Sequence, residues 1–474
     1  MTFKLLKRAF NSSSYRSGPQ VCIVGAGPAG FYAAMHLTKK LKSVNIDILE
    51  KLPVPFGLIR YGVAPDHPEV KNVINQFTKV AQQPNVNFYG NITLGKDVHL
   101  HQLRQHYDAV LLSYGAEEDK TLGIENEDAT NVIAARRFVG WYNGLPSDKD
   151  LKVHFVHVML TYLAEQQLFL VKEMLPLDVA RILLMPIDEL KKTDITEHAL
   201  CALSESKLKE VYLVGRRGPL QVAFTIKELR EQLKLKNCRT IWNDKDFIDV
   251  DKIVPDLPRP RKRLTELMLK SVNENQALTD DDQTKYFKPV FFRSPNKFLV
   301  DNNNHLTGIE LTCTKLVGDK LEEQRCVPTG EKDIINCNLA FRSIGYKSVQ
   351  ADKDLILKHG VVENNKGIVE DSAGLGKLYV AGWLGTGPVG VILHTMGNAF
   401  QVAKVMLENL SSTDNFNKGG FTEIKKIITE NNSNVIDWGG WEKIDKFEKD
   451  QGKIKGKPRE KVCSVEKMIE LAKK

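Results

Sequence analysis

Residues 21–30 read VCIVGAGPAG. The apolar run Val21-Cys22-Ile23-Val24 predicts a buried parallel strand. It leads into Gly25-Ala26-Gly27-Pro28-Ala29-Gly30, a G-x-G-x-x-G turn, and residues 31–41 then carry helical periodicity. Strand, glycine turn and helix in that order predict a Rossmann-type α/β unit. Gly25 allows the tight turn, Gly27 lets backbone approach a pyrophosphate, and Gly30 lets helix and strand pack closely. The first-turn N–H groups and the helix dipole favour an anion there. A second strand over residues 45–49 ends at Glu50, about 20 residues on, where an acidic side chain grips a ribose 2′-OH. Together these features predict a dinucleotide site.

Residues 51–77 read KLPVPFGLIRYGVAPDHPEVKNVINQF. Further on come LLSYGAEEDKTLGI, VGRRGPLQVAFTIKELRE, LPRPRKRLTEL, FRSIGY and GWLGTGPVGVI. In these motifs and their order the chain resembles the mitochondrial NADPH–ferredoxin reductases, the adrenodoxin reductase family. The resemblance covers most of residues 20–460. It implies two interleaved Rossmann-like domains of glutathione-reductase type: an FAD domain over 20–145 and 340–474, and an inserted NADP domain over 146–339. It also implies an activity. NADPH gives a hydride to FAD, and the reduced flavin passes electrons singly to an acidic [2Fe–2S] ferredoxin, supporting Fe–S cluster, haem or sterol-type monooxygenase chemistry. The enzyme class is ferredoxin–NADP+ reductase; the protein contributes binding, orientation and electrostatics.

Residue roles follow from the matching motifs. The resemblance places Leu58, in the Pro-rich loop after Glu50, on FAD, and Val98 near its adenine; read alone, Val98 is core. Asp66 beside His67 can relay protons near a flavin or cap a helix over 69–80. A strand over 211–214 ends at Gly215-Arg216-Arg217, where a 2′-phosphate sits in NADP enzymes and a carboxylate stands in NAD enzymes. Planar guanidinium forks match phosphate geometry; the alternative is a solvated basic turn. Glu228 matches an NADP contact of the family, although by composition it is a surface helix residue. Arg230, Arg259 and Arg263 match the family's docking arginines, the last two just before a helix over 264–272. Opposite charge speeds encounter in a transient redox complex. After a strand over 377–381, the turn 382–390 leads into another helix. The family sets Trp383, Gly390, Val391 and Ile392 on FAD. Trp438 and Trp441 are expected to anchor the charged tail on the FAD domain.

The formal charge of +8 suits an acidic partner better than nucleic acid. The seven cysteines form no C-x-x-C, which argues against disulfides, zinc, a protein-held Fe–S cluster and disulfide-reductase chemistry. No metal site is expected. Residues 1–19 hold Lys4, Lys7, Arg8 and Arg16, no acid, and a Ser run, the composition of a mitochondrial presequence or of a disordered basic tail. The stretch 153–175 is too interrupted by charge to span a membrane. The family implies a matrix location, peripheral inner-membrane association and a monomer.

The resemblance fails between residues 151 and 176. The family has a strand and then G-Q-G-N-V-A before LDVAR; here QQLFLVKEMLP precedes Leu177, and no glycine occurs from Leu151 through Val214. Side chains in such a turn would block a pyrophosphate. Read across codon boundaries, Leu170 to Pro176 can yield Gly-Gln-Gly-Asn-Val-Ala, and Met174, with its single codon, still fits. The pattern points to a frameshift entered near residues 148–151 and corrected at Pro176. As written, the segment is expected to form neither strand nor glycine turn. The alternative function is then an FAD-binding protein that has lost NADPH binding.

Overall fold

The computed structural model describes residues 18–151, 166–171, 176–274, 284–369, 375–390, 392–412, 416–432 and 434–474. The basic leader therefore lies outside the described residues apart from its last two, Gly18 and Pro19.

The strand that feeds the glycine turn is Gln20–Val24, buried throughout. It lies inside a six-stranded sheet in the order Lys377–Val380, Ala109–Leu112, Gln20–Val24, Asn45–Glu50, Val86–Gly90, Ile436–Asp437. Every pairing is parallel except the last. Parallel strands buried on both faces need helical cover. Pro28–Lys40 and Ile392–Ser411 supply it together, packed along one another. Phe31, Phe56 and Phe77 stack beneath them. The helix Trp438–Ile454 closes this cluster: Trp441 meets Phe56 at 5.8 Å and Trp438 meets Phe88 at 6.0 Å. The tail is thus anchored by its two tryptophans.

A second six-stranded sheet runs Val132–Ala134, Leu339–Arg342, Gln166–Val171, Leu208–Val214, Lys285–Val290, Cys238–Thr240, all parallel. Three features differ from the sequence reading. First, Gln166–Val171 is an interior strand, paired with Leu339–Arg342 and Leu208–Val214. A parallel strand between two neighbours needs only a short apolar, β-prone run, and Leu168-Phe169-Leu170-Val171 is one. The missing glycines bear on residues 172–175, which lie outside the described residues. Second, Val132–Ala134 already belongs to this sheet, and Phe138, Trp141 and Tyr142 after it sit in its core, so the crossing precedes residue 146. Third, Leu339–Arg342 returns to this sheet; Lys377–Val380 is the strand that rejoins the first.

Between Lys285–Val290 and Leu339–Arg342 the chain makes an antiparallel sheet of Arg293–Val300, Leu306–Val317 and Arg325–Asn336. No helix of the described residues is long and apolar enough to cross a membrane.

Candidate functional site

The three glycines act in different ways. Gly25 has φ +109°, and a Cβ there would stand 2.7 Å from the Ser113 carbonyl oxygen. A Cβ on Gly30 would stand 2.2 Å from the Gly25 oxygen, so only glycine lets helix and strand approach. A Cβ on Gly27 would meet nothing within 4 Å: this face is open. The helix Pro28–Lys40 starts there with no side-chain cap and no acid in its first turn, in which Ala29 is buried. Its positive end is available to an anion.

Glu50 ties the strand end to the turn. Its Oε2 accepts from Ala26 N at 2.8 Å and its Oε1 from Leu52 N at 3.1 Å. Burial raises the carboxyl above its ordinary pKa, and the Leu52 and Ala26 N–H groups oppose this. Each oxygen keeps a lone pair for a hydroxyl. Phe56 donates its N–H to the Ala26 oxygen and takes φ +84°. The chain then crosses the glycine turn, a Cβ on Gly57 falling 3.2 Å from Gly27 Cα. Leu58 follows, 39% exposed beside the open face.

On the other side, a Cβ on Gly382 would meet the Ala29 side chain at 2.8 Å, so the 382–390 turn packs on the same helix start. Trp383 stacks on Tyr346 at 5.4 Å, and its buried indole N–H has no acceptor among the described residues. Gly390 has φ +83°, and Ile392 opens the long helix Ile392–Ser411; Val391 lies outside the described residues. Val389 and Leu393 are exposed here. Val98 is elsewhere in character: it is fully buried with Val24 and Leu112. An open phosphate-sized face, a carboxylate for a sugar hydroxyl, bare apolar side chains and an orphaned indole N–H fit an extended dinucleotide carrying a flat ring system, as FAD is.

Asp66 and His67 turn to the other sheet rather than to each other. His67 precedes the short helix Pro68–Lys71 and caps nothing with its side chain; a second helix, Ile74–Ala81, follows. The single capped helix expected over 69–80 is therefore two uncapped pieces. His67 Nε2 lies 2.9 Å from Glu231 Oε2. Asp66 takes a two-point ion pair from Arg181, whose Nη2 also donates to Asp178 Oδ1 at 2.7 Å. Arg181 is buried, and although burial opposes its charge, Asp66 and Asp178 outweigh burial and raise its pKa. A groove of about 1020 Å³ runs along this seam, lined among others by His67, Arg181, Asp194, Glu231, Trp441 and Lys461.

Leu208–Val214 ends at Arg216 and Arg217, both exposed. Arg261 donates to the Val222 oxygen at 2.7 Å; burial and then Arg217 lower its pKa, so the two cations are neighbours. Glu228 is structural in the first place. With Thr225 it forms a capping box at the start of Ile226–Leu233, its carboxylate accepting from Thr225 N. Burial raises its carboxyl. Arg230, Arg259 and Arg263 are exposed, without an ion-pair partner among the described residues. Arg259 and Arg263 lie inside the helix Arg259–Glu274, not ahead of it. A cationic first turn with no acid opposes the helix dipole, so folding alone does not favour it.

Sequence reasoning missed Arg181, Asp178 and Glu231. The signal was Arg181 itself, a charge between the apolar Val179 and Ile182 of one helix, which burial obliges to find partners.

A family model described as an NAD(P)-binding Rossmann-like domain matches residues 23–89, the span from the glycine turn past Glu50. The mitochondrial NADPH:adrenodoxin oxidoreductase of Drosophila melanogaster is 47% identical over 459 residues, 96% of this chain and 93% of that protein. Its counterpart in Homo sapiens is 42% identical over 468 residues, and that of Arabidopsis thaliana 40% over 480 residues, 99% of this chain and 98% of that protein. The structure of Mycobacterium tuberculosis FprA in complex with NADPH superposes with a TM-score of 0.87 at 30% identity, covering 96% of this chain and 100% of that one.

Proposed function

Because the chain belongs to the mitochondrial NADPH:adrenodoxin oxidoreductase family, we propose that it carries electrons from NADPH to an acidic [2Fe–2S] ferredoxin. It is an oxidoreductase of the ferredoxin–NADP+ reductase type, with FAD and NADPH as its cofactors. The observation that carries the reading is the open Gly27 face, flanked by Glu50, Leu58 and the unpaired Trp383 indole N–H. Gly25 to Gly30 and the helix dipole would hold the FAD pyrophosphate, Glu50 its ribose, and the 382–390 turn its ring end. When bound, FAD supplies the conversion of one hydride into two single electrons.

The chain's own residues supply selectivity and encounter. Arg216 and Arg217 offer two exposed guanidinium forks at the end of a parallel strand, suited to a 2′-phosphate. Arg230, Arg259 and Arg263 offer uncompensated positive charge, which steers an acidic protein without demanding tight binding. His67 and Glu231, 2.9 Å apart, can share a proton across the seam. We place the enzyme in the mitochondrial matrix as a monomer, its basic surface suited to peripheral contact with anionic inner-membrane lipid. Reduced ferredoxin would then serve Fe–S cluster, haem or monooxygenase chemistry.

The test is spectroscopic. The purified chain should be yellow, with flavin absorption that survives gel filtration. A version with the second glycine turn restored should lose that absorption on anaerobic NADPH addition and reduce cytochrome c only when a [2Fe–2S] ferredoxin is present. A folded but colourless chain, or ferredoxin-independent transfer at the same rate, overturns the reading.

A further inference from the structure

The turn Gly215-Arg216-Arg217 hangs from the antiparallel sheet by three consecutive carbonyls. The Gly215 oxygen accepts from Arg293 N at 3.1 Å, and the Arg217 oxygen from Phe292 N at 3.3 Å. Between them, the Arg216 oxygen accepts from Thr314 Oγ1 at 2.8 Å and from Cys326 Sγ at 2.9 Å. Its carbonyls are held while both arginines remain exposed.

Thr314 stands beside an irregularity of this sheet. Cys313 and Thr314 are both buried, and between Thr312 and Thr314 the register with Arg325–Asn336 slips from Lys332 to Pro328. The extra residues lie on the partner strand, so the ladder is disrupted locally on the strand that carries Cys326. The Thr314 N–H donates to the Phe292 oxygen at 2.9 Å, so one residue braces both the arginine turn and its neighbour. Phe292 is itself constrained, with φ +54°. Its ring fills the space where a Cβ on Gly218 would come within 2.4 Å. A bulky residue holds such a φ only where its surroundings fix it.

We propose that Thr314 is a positioning residue for NADPH selectivity, with Cys326 as a second donor. By fixing the Arg216 carbonyl, it sets the backbone from which the guanidinium reaches the 2′-phosphate. The inference rests on reading Arg216 and Arg217 as the 2′-phosphate site. It extends that site to the antiparallel sheet, to which no direct nucleotide contact is assigned.

The experiment compares 2′,5′-ADP with 5′-AMP, which differ only in the 2′-phosphate, by calorimetry on the full chain with the second glycine turn restored. Thr314→Val keeps shape and removes the hydroxyl. It should weaken 2′,5′-ADP about three- to tenfold, the worth of one hydrogen bond, and leave 5′-AMP unchanged. Thr314→Ser should restore binding, and Thr314→Val with Cys326→Ala should lose more than either alone. If the valine variant does not fold, Thr314→Ala and Cys326→Ala, each alone, give the same reading. Arg216→Ala runs alongside. If it too leaves 2′,5′-ADP unaffected, the phosphate site itself is misread. If Arg216→Ala weakens 2′,5′-ADP but the Thr314 variants do not, or weaken both nucleotides equally, the positioning role is overturned.

Discussion

Arg181 closes a two-point ion pair on Asp66 across the seam between the two parallel sheets, its Nη2 donating to Oδ1 at 3.2 Å. Asp178 holds the same guanidinium at 2.7 Å, and Glu231, 3.8 Å from its Nη1, leads on to His67. One buried cation therefore answers for three carboxylates drawn from both sides of the seam. Removing it leaves Asp66 and Asp178 facing each other without compensation. Arg181→Met should destabilise the chain by about 3–5 kcal/mol, the usual cost of an orphaned buried charge. Adding Asp66→Asn should recover part of that loss, because the pair is coupled. Urea denaturation of the two variants checks this. A loss below about 1 kcal/mol for Arg181→Met would mean that water screens the seam.

What was legible in the sequence was contiguous in it. Gly25, Gly27, Gly30 and Glu50 declare strand, turn, helix and strand within one local pattern, and the structure assembles them so. The seam was not legible, because Asp66 and Arg181 are 115 residues apart and His67 and Glu231 are 164 apart. Adjacent in sequence, Asp66 and His67 suggest a pair, yet each is claimed by a different partner. The capping role of Glu228 could have been read from Thr225-x-x-Glu228, which is the capping-box spacing. The absence of glycine argues against a phosphate-binding turn and does not argue against the strand Gln166–Val171 that precedes it. An apolar run sufficed to place it between two neighbours.

A second seam cluster predicts a pH effect. Asp194 lies 2.6 Å from Lys71 and 3.0 Å from Lys461, both nearly buried. Burial pulls the Lys461 ammonium down to about 7, against the opposing pull of Asp194. Burial alone would raise the Asp194 carboxyl, but Lys461 and Lys71 outweigh it and hold it below the usual carboxylate range. Between about 7 and the ordinary lysine value of 10.5, the unfolded chain binds a proton that folded Lys461 releases. Stability should therefore rise with pH across that window, by at most about 1.4 kcal/mol per unit from this group. Lys461→Met should flatten the rise. Denaturation midpoints at pH 7, 8 and 9 decide the matter; parallel curves for parent and variant refute it.

Cofactor choice should follow the arginine turn. Arg216→Ala and Arg217→Ala each remove a charge-assisted phosphate contact, worth roughly 1.5–3 kcal/mol, that NADH cannot make. With the second glycine turn restored, KM for NADPH should rise about tenfold or more and KM for NADH should hardly move. Equal losses for both cofactors would assign the arginines to structure alone.

Ferredoxin docking should be separable from flavin reduction. Arg259→Glu with Arg263→Glu reverses charge on an exposed helix start that carries no acid. Rapid mixing should show unchanged reduction by NADPH, while cytochrome c reduction through ferredoxin slows at least tenfold at low salt, where steering is strongest. A parent enzyme whose ferredoxin rate ignores ionic strength would remove the basis for this surface.

Residues 172–175, Lys-Glu-Met-Leu, join the strand Gln166–Val171 to the helix Pro176–Leu184, as Gly25-Ala26-Gly27 joins Gln20–Val24 to Pro28–Lys40. In the first sheet, Gly25 takes φ +109° and Gly27 leaves its face open. A pyrophosphate-binding turn needs bare backbone, and Lys172-Glu173-Met174-Leu175 supplies no glycine there and adds a carboxylate. The chain as written should thus hold FAD but reduce ferredoxin from NADPH slowly. A frame correction between residues 148 and 176, giving Gly-Gln-Gly-Asn-Val-Ala ahead of Leu177, should raise NADPH turnover at least a hundredfold, with the FAD content unchanged. Sequencing the gene across codons 145–180 and mass spectrometry of the native protein decide which form the cell makes. Native peptides containing LTYLAEQQLFLVK, or NADPH turnover of the chain as written equal to that of the corrected chain, would refute the frameshift.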